Sequence, residues 1–224
     1  MISTVPARAR IFIVDDHPLV REWLGTLLRQ QPDFEVCGQA EDIASALAGI
    51  VKTRPDVAIV DLSLQSGSGL DLIKDLRAQA PEVAIIVLSM HEEIYYAERA
   101  LRAGARGYIM KRESTGRIVD AIRRVRAGVV YASEEMLARL AERVVGGRAA
   151  SPAGGPVAAL SDRELEVFRR LGEGQTTRQI AADLKVSMKT IQAYCARIKD
   201  KLGFANGTEL VRDAVRWIER ERHT

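Results

Sequence analysis

The sequence predicts an α/β domain, a doubly wound five-stranded parallel sheet, followed by a small all-α domain of helix-turn-helix type. Three observations carry this reading. Over residues 10–127 short β-rich apolar runs alternate with amphipathic segments, the pattern of a parallel sheet covered by helices on both faces. Residues 146–157, GGRAASPAGGPV, then break every periodicity with Gly, Pro and Ala, as a linker does. Beyond them the pattern is purely helical, in short helices joined by tight turns. A chain of 224 residues with 47% hydrophobic content has room for two packed cores. The expected division is 9–128 for the α/β domain, 129–157 for an interdomain helix and linker, and 158–224 for the helical domain.

The strand candidates are Ile11 to Val14, Phe34 to Gly38, Val57 to Val60, Val83 to Leu88 and Gly107 to Met110. The segments between them carry one apolar face at helical spacing, as in Leu19, Trp23, Leu27 and Leu28. After the linker, Ser161 and Glu164 have the spacing of a capping box that opens a helix, and Thr176 and Gln179 repeat it. Gly172 and Gly174 separate the first two of these helices. Val186-Ser187 separates the second from a third, and a fourth runs from about Thr208 to Arg220.

Composition narrows the function classes. No apolar run approaches the roughly 18 residues of a membrane span, and MISTVPARAR lacks the apolar stretch of a signal peptide, so a cytoplasmic protein without a membrane partner is expected. Cys37 and Cys195 have neither Cys-x-x-Cys spacing nor a His cluster, so neither a zinc site nor a disulfide framework is suggested and both read as small buried apolar residues. The net charge of +3 is unevenly placed. Residues 1–128 balance 17 bases against 17 acids, whereas Lys185 to Lys201 holds five bases (Lys185, Lys189, Arg197, Lys199, Lys201) and one acid, Asp200. Such a run is the footprint of a nucleic-acid contact or simply a solvated helix face.

Five residues with chemistry follow the strands directly. Asp15 and Asp16 come after the first, Asp61 after the third, Ser89 after the fourth and Lys111 after the fifth. Carboxyl ends of parallel strands converge on one crevice, where ligands bind. Three carboxylates crowded there repel one another unless a hard cation offsets them, and oxygen ligands with room for water suit Mg2+. A carboxylate beside such a cation is a usable nucleophile toward phosphorus, forming an aspartyl phosphate while cation and lysine offset the developing charge. Acids also follow strands because loops start there, but that explanation applies to single residues rather than to the joint pattern. A haloacid-dehalogenase-type phosphatase is disfavoured because the second aspartate it needs is Ser63 here, and Ser68 lacks the glycine spacing of a nucleophile elbow. His17 and His91 border the crevice and His223 lies in the tail; each reads as a polar loop residue, with His91 also able to influence water access.

The segment from Val186 to Leu202 divides into faces when placed on a helix. Ile191, Cys195, Ile198 and Leu202, at offsets of zero, four, seven and eleven, form an apolar stripe toward Ile180, Ala181 and Leu184 of the preceding helix. Lys189, Gln192, Ala193 and Ala196 remain on the other face, small enough to enter a major groove closely. There Gln192 can pair with an adenine and the alanines can touch thymine methyls, with Thr190 in the same candidate set. Lys189, Tyr194, Arg197 and Lys201 are placed to grip phosphates, which position without specifying. In the last helix Leu210, Ala214, Trp217 and Ile218 form a stripe that suits either an intramolecular core or a dimer surface.

Residues 9–128 resemble the flavodoxin-like receiver domains of two-component response regulators in order, spacing and residue type: IFIVDDHPLVR, DVAIVDLSL, IIVLSMH and GARGYIMK. The resemblance implies that Asp61 accepts phosphate from a histidine kinase, that Asp15 and Asp16 hold Mg2+ with Asp61, and that Lys111 pairs with the phosphoryl group. It makes Ser89 the switch hydroxyl and Tyr108 the aromatic that turns inward with it, whereas periodicity alone gives Tyr108 as a half-buried strand residue. One departure is Gln65, where these receivers usually have proline, and the following Ser66-Gly67-Ser68-Gly69 suggests a more flexible loop that alters phosphorylation or dephosphorylation rates.

From Leu160 to about Ala214 the chain resembles the LuxR-type helix-turn-helix of the NarL/FixJ regulators, in LSDRELEVFRRLGEGQTTRQIA, VSMKTIQAYCARIKDKLG and NGTEL. Tyr194 replaces a common histidine there and Gly207 a common arginine. The expectation is a phosphorylation-dependent transcriptional regulator rather than an enzyme, partnered by double-stranded DNA, a cognate histidine kinase and RNA polymerase, and dimeric once phosphorylated. The alternatives are an atypical regulator controlled by a ligand or partner protein instead of phosphate, and an interaction module that has lost DNA binding. The complete set of Asp15, Asp16, Asp61, Ser89 and Lys111 argues against the first, and the open Gln192 face against the second.

Overall fold

A computed structural model describes residues 7–64, 67–90, 93–146 and 155–223. The expected positions of Gln65, Ser66 and His91, and most of the linker, lie outside these residues. In the first unit strands and helices alternate without exception: β1 (Ala9–Val14), α1 (Pro18–Arg29), β2 (Phe34–Ala40), α2 (Ile43–Thr53), β3 (Val57–Val60), α3 (Gly69–Gln79), β4 (Ala84–Ser89), α4 (Glu93–Ala103), β5 (Gly107–Met110) and α5 (Thr115–Arg126). The strands form one parallel sheet in the order β2-β1-β3-β4-β5. The doubly wound expectation is therefore met, with each strand within two residues of its expected bounds.

Period-two alternation explains the two-sided core. Ile11, Ile13, Ile59, Ile86, Leu88 and Ile109 pack with Leu24 and Leu28 of α1 and Ile118, Ile122 and Val125 of α5. The intervening residues Phe12, Val14, Ala58, Val60, Ile85 and Val87 are buried as well, which is why the strands read as continuous apolar runs. The space over Phe12 is so tight that a Cβ on Gly38 or Gly49 would run into its ring. Beyond α5, Tyr131 accepts a hydrogen bond from the Tyr108 N–H at 2.8 Å and donates its own to Arg106 at 2.9 Å. The segment that starts at residue 129 is thus tied to β5, and the compact unit extends to Leu137.

The second unit holds most of α6 (Glu134–Gly146), a 3-10 helix (Gly155–Ala159), α7 (Asp162–Gly172), α8 (Thr177–Asp183), α9 (Met188–Leu202) and α10 (Gly207–His223). Both capping boxes form. The Ser161 N–H donates to Glu164 Oε2 at 2.7 Å and the Thr176 N–H to Gln179 Oε1 at 2.8 Å, and the Ser161 and Thr176 hydroxyls accept in turn from the N–H groups of Glu164 and Gln179. Between α8 and α9 the turn closes with the Val186 N–H on the Ala181 carbonyl and the Lys185 N–H on that of Ala182, with Lys185 at φ 53°. This is the left-handed helix end usually given to glycine.

The apolar stripe of α10 is intramolecular core. Leu210, Ala214, Trp217 and Ile218 are all buried, and Trp217 packs 5.7 Å from Phe168 of α7 between ring centroids. A Cβ on Gly172 would strike the Ala214 carbonyl, so the two helices approach too closely for any larger residue there. Of the two uses the sequence left open for these four side chains, the structure gives them the intramolecular core. Cys37 and Cys195 are half-buried and unpaired, less enclosed than expected.

Candidate functional site

The sheet's chain order reverses between β1 and β3, and that switch point is where a crevice opens. Val14 and Val60 are register partners, so the residues that follow them, Asp15 and Asp61, emerge side by side. The ladder continues one residue past the strands: the Asp61 N–H donates to the Val14 carbonyl at 2.9 Å, that of Asp15 to Ala40 at 3.2 Å and that of Lys111 to Ser89 at 2.7 Å. The backbone of each site residue is thereby set by the sheet rather than by a loop. Ser89 ends β4, next to β3, and is fully buried.

Lys111 brings the two halves of the site together. Its Nζ lies 2.6 Å from Asp15 Oδ2 and 2.9 Å from Asp61 Oδ2, with all three side chains less than a tenth exposed. Burial pushes the Asp61 carboxyl up from its ordinary value, and the neighbouring Asp15 adds to this against the opposing pull of Lys111. Burial works the other way on Lys111, but Asp61 and Asp15 together outweigh it and hold the ammonium above its ordinary value. One cation shared by several carboxylates leaves the pocket short of positive charge. Asp61 Oδ1 is buried and has no hydrogen-bond partner.

Two neighbours complete this pocket: His17, which the sequence placed at its border, and Arg21, which the sequence reading left unassigned. His17 points Nδ1 back into the cluster, 2.7 Å from Asp16 Oδ1 and 3.3 Å from Asp15 Oδ1. Ligand atoms of Asp15, Asp16, His17 and Asp61 all lie within 4.8 Å of one another. Arg21 donates to the main-chain carbonyl of Asp15 at 2.6 Å and pairs with Glu41 at 3.2 Å, which holds the loop after β1 against the end of β2. The signal for both was the run DDHPLVR itself, where a histidine and an arginine sit within reach of the acids. Tyr108, expected half-buried from periodicity, is 1% exposed, its ring wholly within the protein.

In the second unit α9 packs its Ile191 and Ile198 into the core, with Cys195 and Leu202 half-buried beside them. Lys189, Gln192, Ala193, Ala196 and Arg197 are exposed along the opposite face, and Thr190 and Tyr194 are half-buried. The Arg197 guanidinium stacks over the Tyr194 ring at 4.9 Å, so the two form one cationic edge. Lys201, expected to grip phosphate, has its Nζ 2.7 Å from Glu164 Oε2 and 3.3 Å from the Ala159 carbonyl, which ties the end of α9 to the capping box of α7. Val186 and Met188, exposed at the entrance to α9, add apolar surface that the sequence reading did not single out.

Beneath this helix lies a buried ionic network. Glu166 accepts from both Arg169 and Arg170, Arg169 also pairs with Glu173, and Arg170 reaches Asp183 of α8 at 3.0 Å. Burial works to raise the Glu166 carboxyl, but the two guanidinium groups prevail and hold it below its ordinary value. The network ties α7 to the helix preceding α9 and so fixes the angle at which α9 is presented.

Comparisons with known proteins agree with both halves of this description. The response regulator receiver domain family matches residues 11–123, and the luxR family of bacterial regulatory proteins matches 158–214. The oxygen regulatory protein NreC of Staphylococcus carnosus is 34% identical over 92% of this chain and 97% of its own length. The DNA-binding transcriptional activator DevR/DosR of Mycobacterium tuberculosis is 32% identical over 89% and 91%. Among solved structures, RcsB of Salmonella enterica serovar Typhimurium, bound to a promoter in the presence of a phosphomimetic, superposes with a TM-score of 0.69 at 28% identity, covering 92% of this chain and 98% of that one. A receiver sheet with an acid-lined switch point, followed by a LuxR-type helix-turn-helix and matched along nearly its whole length by such relatives, places this protein among the two-component response regulators of the NarL/FixJ type.

Proposed function

We propose that this regulator is switched by phosphorylation of Asp61, with a histidine kinase as donor, and that the phosphorylated form binds a two-half-site operator as a dimer. The observation that carries the reading is the Lys111 ammonium held on Asp15 and Asp61 beside a buried Asp61 oxygen with no partner. That oxygen is a nucleophile waiting for an electrophile. Attack by the Asp61 carboxylate on phosphorus forms the Asp61 O–P bond and breaks the N–P bond of the kinase phosphohistidine, returning the imidazole to the kinase.

The donor set fits a divalent cation: carboxylate oxygens from Asp15, Asp16 and Asp61, in a pocket short of positive charge. Mg2+ is the cation proposed, and when bound it offsets the carboxylate charge and the charge that develops on the transferring oxygens. Lys111 is already poised to move with its ammonium from Asp61 Oδ2 to a phosphoryl oxygen. Ser89, buried one strand away, is the hydroxyl proposed to follow the phosphate, and Tyr108 the aromatic that reports its position on the α4–β5 side.

On the DNA side, Gln192, Ala193 and Ala196 are proposed to face base edges, while Lys189, Thr190, Tyr194 and Arg197 contact the backbone. Lys201 contributes charge nearby but is held by Glu164. RNA polymerase is the proposed downstream partner and the cytoplasm the proposed location; among the described residues no helix is long and apolar enough to cross a membrane. The chemistry is limited to the protein's own phosphorylation and dephosphorylation.

The test uses the full chain with Mg2+ and acetyl phosphate beside an Asp61→Asn variant, following acid-labile phosphate and oligomeric state together. Phosphate and a shift to dimer in the wild type alone are expected. Absence of both from the wild type overturns the phosphate switch and favours control by a ligand or partner.

A further inference from the structure

Beyond α5 the chain turns back onto the sheet. Gly128, at φ 84°, ends the helix in the left-handed conformation, and Tyr131 then bridges to β5 in parallel sense. The Tyr131 N–H donates to the Arg106 carbonyl at 2.9 Å and its carbonyl accepts from the Tyr108 N–H at 2.8 Å. These are the two slanted bonds by which a parallel ladder flanks one residue, here Gly107. Gly107 is also the register partner of Ile86 in β4, so β5 is held on both sides although it is the last strand of the sheet. The half-buried Tyr131 ring packs on the sheet core, with the Arg124 guanidinium over it at 5.6 Å.

The same short strand leads to the lysine of the site. β5 ends at Met110, the Lys111 N–H bonds the Ser89 carbonyl at 2.7 Å, and the Lys111 ammonium rests on Asp15 and Asp61. Nothing but strand separates Lys111 from Gly107, so a displacement at the carboxyl end of β5 is carried along it rather than absorbed in a loop. On the other side of the bridge the first unit ends at Leu137, and the helical unit follows.

We infer that residues 129–131 are a latch: paired with β5 they hold the interdomain segment on the receiver sheet, and phosphorylation of Asp61 opens the pairing and releases the helical domain to bind DNA. The inference rests on the proposed phosphorylation of Asp61 and names the element that carries its effect outward.

While Lys111 stays on the two carboxylates the latch is closed. Transfer of its ammonium to a phosphoryl oxygen moves the carboxyl end of β5, and Tyr108, whose N–H the latch uses, lies within that strand. Two hydrogen bonds of ordinary net strength bias an equilibrium by roughly 5–100-fold, the size of coupling found between linked sites. A segment that only covered the sheet edge for stability has no reason to respond to the state of Asp61.

The experiment uses full-length wild type, Tyr131→Pro, which removes the N–H given to Arg106, and Tyr131→Phe, which keeps both backbone bonds. Each is incubated with Mg2+, with and without acetyl phosphate. Acid-labile phosphate is measured together with affinity for a DNA duplex selected from a random pool by phosphorylated wild type. Amide hydrogen exchange of the wild type is followed in both states. Phosphorylation is expected to speed exchange at Tyr131 on the order of tenfold while Ile13 and Ile59 in the sheet centre stay unchanged. Unphosphorylated Tyr131→Pro should bind the duplex on the order of tenfold tighter than unphosphorylated wild type and gain less than about twofold on phosphorylation, with Tyr131→Phe behaving as wild type. A wild-type response in Tyr131→Pro, or the same loss in Tyr131→Phe, overturns the latch. If the proline variant fails to fold, unchanged exchange at Tyr131 in the wild type overturns it equally. Phosphate gained with no change at Tyr131 removes the latch alone, whereas a wild type that gains no phosphate removes the Asp61 switch and the latch with it.

Discussion

The Lys111 ammonium stands 2.9 Å from Asp61 Oδ2, across fifty residues of chain, and shares itself with Asp15 at 2.6 Å. It is too little charge for the site, and Asp61 stays raised by burial. A carboxyl raised by folding binds more protons in the native than in the unfolded state. Its ionisation then costs stability, a cost absent below the ordinary aspartate value of about 3.9 and growing as pH rises from there through the folded value. Asp61→Asn should accordingly melt higher than wild type at pH 7 in metal-free buffer, by on the order of 4 °C. The gain should shrink toward pH 3.5, and Mg2+ should stabilise the wild type more than the variant. Melting curves over pH, with and without Mg2+, check all three.

Behind Asp61 the backbone leaves no space. A Cβ on Gly69 would meet the Asp61 carbonyl oxygen and the Leu62 Cα, neither of which can swing aside. Gly69→Ala is expected to destabilise the receiver by about 1–3 kcal/mol. Because the strain falls on the loop carrying the nucleophile, phosphorylation by acetyl phosphate should slow as well. Urea denaturation and a phosphorylation time course measure the two effects; an unchanged rate at unchanged stability would contradict the close approach.

Glu166 lies buried between Arg169 and Arg170. Replacing it by Gln removes the buried anion the two guanidinium groups share, leaving Arg169 with Glu173 and Arg170 with Asp183 alone, and a loss of roughly 3 kcal/mol from the helical domain is expected. The pH dependence has the opposite sign to that of Asp61. With its folded value depressed, the Glu166 contribution is present above the ordinary glutamate value and disappears as pH falls through the folded one. Chemical denaturation at pH 7 and at pH 3 should show the wild type losing its advantage over Glu166→Gln at the lower pH.

The faces of α9 separate three kinds of loss. Gln192→Ala should weaken binding to the preferred operator by about 1–3 kcal/mol and relax preference at one base pair. Lys189→Ala should weaken all sequences alike and reduce the salt slope by about 1. Lys201→Ala removes the partner of Glu164 and should mainly lower domain stability, by about 1 kcal/mol, with little change in salt slope. Binding isotherms at several salt concentrations distinguish the three, and a full unit of salt slope lost with Lys201→Ala would return that residue to the phosphate contacts.

Elements were legible where local pattern and tertiary environment ask for the same residue. The central strands β1, β3 and β4 are rich in Val and Ile buried on both faces, so their apolar content alone marks them. The caps at Ser161 and Thr176 were readable because a capping box is closed within four residues. Asp15, Asp61 and Lys111 could be grouped because strand ends in a parallel sheet lead to one crevice. The reading was less complete where a side chain had two uses. An apolar stripe on α10 serves a core or a dimer equally well by periodicity, and Lys201 is a cation whether it meets phosphate or Glu164.

The sequence by itself determined the alternation of strands and helices, the chain order of the acidic and basic residues, and the helix faces, because these depend on periods of two and 3.6 residues and on neighbours within one turn. Only the tertiary structure decided which long-range pairs form. It set Val14 beside Val60, so that Asp15 meets Asp61. It turned His17 toward the carboxylate cluster, pressed α10 onto α7 at Gly172 and paired Lys201 with Glu164. Those outcomes follow from sheet register and close packing, which couple residues tens of positions apart and leave no mark in any local window of sequence.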